Sequence, residues 1–209
     1  MQTERARRRS DGEQTHTAIL ESATRLASIE GLSSLTIGRL ARELDVSKSG
    51  VFAHFRSKEH LQQETIAAAG EVFEREVLQP GLAAPEGLGQ LGSVCEAYLS
   101  YVERGVFPGG CFFAQILAEY DARSGSIHDE VVAGHRGWFG LLEGLVRTAQ
   151  QQGELDPATD PQQLAFELYA PMELANYLST LHRDPSIVER GREAVRARTA
   201  ALRGGRSRV

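Results

Sequence analysis

The run Thr36-Ile-Gly-Arg-Leu-Ala-Arg-Glu-Leu-Asp-Val-Ser-Lys-Ser-Gly-Val-Phe-Ala-His-Phe55 decides how this chain is read. Ile37, Leu40, Ala41 and Leu44 recur at intervals of three and four, which gathers them on one face of a short helix. Thr36 stands just ahead of it, where a hydroxyl can accept an orphan backbone N–H of the first turn. Asp45-Val46-Ser47 reads as a tight turn, and Ser47 can cap a second short helix over residues 48–55. Val51 and Phe55, four apart, are the apolar underside of that helix. Lys48, Ser49, Gly50 and His54 are left facing outward.

The pattern extends in both directions. Ile19, Ala23, Leu26 and Ala27 define an amphipathic helix from about Gln14 to Glu30, ended by Gly31, a residue suited to a left-handed C-terminal position. Downstream, Ser57-Lys-Glu-His60 opens a fourth helix carrying Leu61, Thr65, Ala68, Ala69, Val72 and Phe73. It is expected to stop near Gln79, because Pro80-Gly81 follows. Residues 81–87 are the best boundary between segments. Five more helices are predicted, over about 87–104, 111–123, 127–152, 161–181 and 185–202. Pro171 lies inside the fourth of these and predicts a kink. No stretch sustains a two-residue alternation. The expected fold is therefore all-α with about nine helices.

Two short helices joined by a tight turn are the geometry that lays the second helix in a DNA major groove. Small residues at Ser49 and Gly50 allow close backbone approach, and polar side chains there can reach base edges or phosphates. The longer run from Gly31 to Leu61 resembles the DNA-binding domain of the TetR family of repressors, on Thr36, Val46-Ser47, His54-Phe55 and Lys58-Leu61. The match covers about residues 14–65. Pro108-Gly-Gly-Cys-Phe-Phe113 is similar, less specifically, to the start of a ligand-domain helix in that family.

The resemblance implies a DNA-binding domain over 13–57, preceded by a flexible basic arm (1–12) and followed by a helical effector-binding and dimerisation domain (58–203) and a tail (204–209). It implies that Thr36 caps its helix and touches a phosphate, and that Lys48, Ser49 and Gly50, behind the capping Ser47, face the bases. His54 and Lys58 would contact phosphates. Two positions depart from the family pattern. Phe52 stands where a tyrosine is usual, so no hydroxyl is available for a phosphate, and Asp45 stands where a glycine is usual. The basic arm, Arg5, Arg7, Arg8 and Arg9, is read as a source of salt-sensitive attraction or of minor-groove contact. The expected partners are double-stranded DNA with a pseudo-palindromic operator, a second copy of the chain and a small-molecule effector. The last two helices are implied as the dimer surface.

In the body, aromatic and apolar residues at helical spacing are the candidate effector contacts: Tyr98, Phe112, Phe113, Ile116 and Tyr120 in its first half, His135, Trp138, Phe139, Tyr169 and Met172 in its second. Few charges fall among them, which favours an apolar or aromatic effector. Two other readings stay open. Cys95 and Cys111 are too far apart for a CxxC pattern, but as accessible thiols of low pKa they would make a redox sensor. A fully packed body would instead suit a DNA-bound interaction protein without a small ligand.

Composition is consistent with this class. Apolar residues at 41% and charged residues at 24% suit a globular chain with a real core. Residues 1–60 hold 10 Lys and Arg against 8 Asp and Glu, and the remainder 13 against 20. A mildly basic front on an acidic body suits one end facing phosphates. No apolar run nears the ~18 residues of a membrane span, and the charged start lacks a secretory apolar stretch, so a cytoplasmic location is expected. No HExxH, phosphate-cradling glycine loop or nucleophile elbow is present, so neither enzymatic activity, a metal nor a cofactor is expected.

Overall fold

The computed structural model describes residues 2–202, with side chains from residue 12 onward. Its helices are α1 (Gln2–Glu30), α2 (Ile37–Glu43), α3 (Lys48–Phe52), α4 (Lys58–Phe73), α5 (Gln79–Leu82), α6 (Leu88–Glu103), α7 (Phe112–Tyr120), α8 (Ser126–Gln151), α9 (Pro161–His182) and α10 (Ser186–Ala201). A π turn, Glu74–Leu78, joins α4 to α5, so these form one rod and the described residues make nine helical rods without a strand. The all-α fold is the one the periodicity predicts.

Two boundaries differ most from the sequence reading. The backbone of α1 begins at Gln2 instead of about Gln14; the side chains of Arg5, Arg7, Arg8 and Arg9, and the tail 204–209, lie outside the described residues. Pro80-Gly81 does not end the fourth rod. The wider π turn sends the Gln79 N–H to the Glu74 carbonyl and opens the backbone ahead of the proline ring, so Pro80 sits in the first turn of α5. Pro171 lies inside α9, which continues from Pro161 to His182.

The helix starts follow from hydroxyl and carboxylate caps. Thr36 Oγ1 accepts from Arg39 N at 3.1 Å, Ser47 Oγ from Gly50 N at 3.1 Å and Ser57 Oγ from His60 N at 3.0 Å. Asp160 caps α9 by accepting from Gln162 N at 2.9 Å. In the front unit, α1–α3 close on Ile19, Leu26, Leu40, Val51 and Phe55, all buried. In the body, α9 packs between α8 and α10, and α6 lies against both α9 and α10. Gly191 of α10 sits where a Cβ would come within 2.9 Å of the Ala175 methyl, so the small residues of α10 serve close approach to α9 of the same chain.

Candidate nucleic-acid interface and effector cavity

The exposed end of the front unit carries the residues singled out in the sequence. Ser47, Lys48, Ser49 and Gly50 are exposed, as are Thr36 and Lys58, while His54 is half-buried. Phe55 is fully buried and stacks on His16 with ring centroids 5.0 Å apart, and the His54 ring meets His16 edge-on at 5.6 Å. Phe52 is 57% exposed, a large apolar ring on the outer side of α3. Asp45 holds φ at 53°, so the turn needs the left-handed conformation that Asp tolerates less readily than Gly. Lys58 Nζ donates to the Ser33 carbonyl at 2.5 Å, which fixes its ammonium at the edge of the same surface.

Two further cations of this unit, Arg25 and Arg39, are paired with carboxylates, whereas Arg42 and Arg56 are exposed. Arg39 bridges Glu30 at 2.7 Å and Glu43 at 2.9 Å, and Arg25 also pairs with Glu43. The Arg39 guanidinium holds Glu30 below the usual carboxylate range, and hydrogen bonds from Arg25 and then Arg39 do the same for Glu43. This network ties α1 to α2 and leaves Lys48 to project from α3.

The body contains a cavity of about 410 Å³. Its walls come from α4 (Gly70, Phe73), the π turn (Glu74, Leu78), α6 (Tyr98), α7 with the residue before it (Cys111, Phe113, Ala114, Leu117), α8 and α9. Of the sequence candidates, Tyr98, Phe113, His135, Trp138 and Tyr169 line it. Phe112, Ile116 and Met172 do not; they are fully buried in the core. Phe139 packs edge-on against Tyr169 at 5.2 Å, outside the wall. The reading missed Phe73 and Glu74, because a helix stripe gives no sign that a π turn will swing its end toward a cavity. It also missed Gly134 and Gly137, whose missing side chains make room beside Trp138.

Tyr120 belongs to a joint between the body and the front unit. The Glu119 carboxylate accepts from Leu32 N at 2.6 Å and Ser33 N at 2.8 Å, and Gln62 Nε2 donates to both the Leu32 carbonyl and the Tyr120 hydroxyl. Gly109 lies so close to α1 that a Cβ would sit 1.7 Å from the Ser28 carbonyl oxygen. Thus α7 starts beside the cavity and ends on the backbone of the front unit.

Both cysteines are buried, which pushes Cys95 up to about 12 and Cys111 up to about 11. They stay protonated at neutral pH, the opposite of a peroxide-sensing thiolate.

A capped pair of short helices with an exposed polar outer face, carried on a cavity-bearing helical body, defines a helix-turn-helix regulator. Comparison with known proteins narrows the class: residues 19–65 match the family of bacterial regulatory proteins called the tetR family, and residues 87–195 match the tetracyclin repressor-like C-terminal domain. The chain belongs to the TetR family of DNA-binding transcriptional regulators. It is 26% identical over 147 residues to the HTH-type transcriptional regulator SrpR of Pseudomonas putida, a match covering 70% of this chain and 66% of that protein. A TetR regulator from Chloroflexus aurantiacus superposes with a TM-score of 0.85 at 22% identity, covering 93% of this chain and 98% of that one. AibR, solved with isovaleryl coenzyme A and operator DNA, superposes with a TM-score of 0.68 at 22% identity, covering 90% and 98%. None of the described helices is long and apolar enough to cross a membrane.

Proposed function

We propose that the protein is a cytoplasmic homodimeric repressor, released from a pseudo-palindromic operator when a small, largely apolar or aromatic effector enters the cavity. One observation carries the reading: the rod that supplies Gly70 and Phe73 to the cavity also supplies Ser57 and Lys58 to the DNA-facing end. A ligand that displaces Phe73 moves a lever whose far end lies at the nucleic-acid surface. The Glu119 joint gives α7 the same reach, since Leu117, two residues earlier on the same helix, lines the cavity. Spreading or closing the two recognition helices of a dimer then spoils their match to successive major grooves.

In this scheme the DNA-binding domain is residues 13–57 and the regulatory domain 58–203. Lys48, Ser49 and Gly50 read base edges, Thr36, His54 and Lys58 hold phosphates, and the Phe52 ring gives apolar contact to a thymine methyl or a sugar. The dimer surface is the outward stripe of α9, where Phe166, Leu174, Tyr177 and Leu181 are 40–74% exposed. AibR, of the same fold, has been solved with both a small-molecule thioester and its operator, which supports a shared architecture for both partners.

Selection of bound sequences from a random DNA pool, repeated against a metabolite panel, tests the proposal. The expected result is a two-fold-symmetric site and at least one compound that lowers affinity for it. Effector-saturated protein that holds the site as tightly as free protein would overturn the coupling.

A further inference from the structure

The cavity is apolar along most of its wall and acidic at one end. Tyr98 and Tyr169 form that end, and behind them the Glu173 carboxyl accepts from the Tyr98 hydroxyl at 2.9 Å. The Tyr169 hydroxyl also lowers the pKa of this carboxyl, and the Tyr177 hydroxyl, near it, donates to the Ala114 carbonyl at 3.0 Å. Burial pushes Glu173 upward against these hydrogen bonds, and among the described residues no Lys or Arg takes part in its electrostatic surroundings. A second carboxylate, Glu74, stands on the wall at the π turn. The wall's basic side chain, His135, is held below its ordinary value by burial and is therefore neutral at pH 7.

Much of the rest of the wall is aromatic, beside aliphatic residues such as Leu78, Leu117 and Leu141. Phe73 meets Trp138 edge-on at 5.3 Å and Phe113 at 5.6 Å, and Tyr98 stacks on Trp138 at 5.9 Å. Ring quadrupoles attract a cation, most strongly at Trp, and the attraction grows when water is excluded. An anionic ligand would meet two carboxyl groups and no fixed positive charge. Burial disfavours the ionised form of Glu173; a nearby cation favours that form, and a neutral ligand gains nothing from it. A ligand with one positive charge and an apolar body satisfies both ends of the cavity.

We infer that the cavity takes a lipophilic organic monocation, an ammonium or related onium ion, with its apolar part against Phe73 and Trp138 and its charge toward Tyr98, Tyr169 and Glu173. The inference rests on the reading of this cavity as the effector site and specifies the chemistry of what enters it.

The test compares three probes of nearly one shape on the full chain by calorimetry: phenyltrimethylammonium, its neutral isostere tert-butylbenzene and the anionic phenyltrifluoroborate. The cation should bind about tenfold or more tighter than the neutral isostere, and the anion weakest. In Glu173→Gln the preference for cation over neutral isostere should fall about tenfold, a ratio that a general loss of packing would not change. Equal or tighter binding of the neutral or anionic probe overturns the inference, as does the absence of binding by all three. Operator titrations separate the two readings. A neutral probe that binds and releases DNA sinks the cation inference and leaves the effector reading standing. A cation that binds selectively without weakening the operator complex supports the inference and sinks the effector reading.

Discussion

The proposed DNA-facing surface and the cavity are built by opposite means. The first draws its residues from 23 consecutive positions, Thr36 to Lys58, set by three hydroxyl caps and one tight turn. The second gathers residues from Gly70 to Tyr169 across five helices and a π turn. Local hydrogen bonds are enough to orient the first, whereas the second exists only when the whole body is packed. Mutations in the surface should therefore act on one function, and mutations at the joint between the regions on two.

The largest expected effect is that of Lys48→Glu. Reversing the charge that projects from α3 should lower operator affinity roughly 100-fold at ordinary salt and reduce the salt slope by about one or two. Lys48 is exposed, so Tm and binding of cavity probes should not move. Paired operator titration and probe calorimetry check this. A loss of probe affinity in the same variant would break the separation of the two regions.

Glu119→Ala attacks the joint. The carboxylate satisfies two backbone N–H groups of the front unit, and its side chain is only 13% exposed. Its removal should cost about 2 kcal/mol, a fall in Tm of roughly 4–8 °C. Cavity probes should still bind, but the operator should respond less to them. If release by a bound ligand is undiminished, coupling passes through α4 alone and the comparison is sharpened toward that lever.

How much could be read beforehand follows the same division. Thr36, Ser47 and Ser57 were legible as caps because capping is decided within four residues. Asp45 was legible as a left-handed turn position because it stands where the motif needs one. The cavity was half legible. Phe113 lines it and Phe112 does not, since neighbours on α7 face 100° apart and nothing local says which face meets the void. The outward stripe of α9 was hidden for a related reason. Leu164, Leu168 and Met172 are consumed by the core, while Phe166, Leu174 and Leu181 on the other face remain uncovered. Nothing local in the sequence marks Glu119, because its partners lie 86 and 87 positions away.

Glu173→Gln tests the acidic end of the cavity without any ligand. Burial raises the carboxyl above its unfolded value, so the folded state holds its proton more tightly than the unfolded one. Stability from this group is present below the unfolded pKa and declines as pH rises through the folded pKa. Glutamine carries no such dependence. The variant should therefore be more stable than the parent at neutral pH, with the gain shrinking as pH falls through the raised folded pKa and gone below the ordinary carboxylate value. Thermal melts across that range check it; a variant less stable at pH 7 would mean that the tyrosine hydroxyls outweigh desolvation and that the site is an anion holder at rest.

The smallest expected effect returns to the DNA-facing surface. Asp45 keeps φ at 53°, which costs an L-residue about 1–2 kcal/mol of local strain, whereas glycine accepts it freely but loses more chain entropy on folding. The net gain from Asp45→Gly should be about 0.5 kcal/mol, a Tm rise of roughly 1–2 °C. The substitution also removes a negative charge from the turn that leads into α3, so operator affinity should rise slightly at low salt. Asp45→Asn separates the two causes, since asparagine tolerates the left-handed turn nearly as well as aspartate and is neutral. The affinity gain should then appear in both variants and fade with added salt, while most of the Tm gain should belong to glycine. A Tm gain shared equally by asparagine would locate the penalty in the carboxylate and not in the backbone.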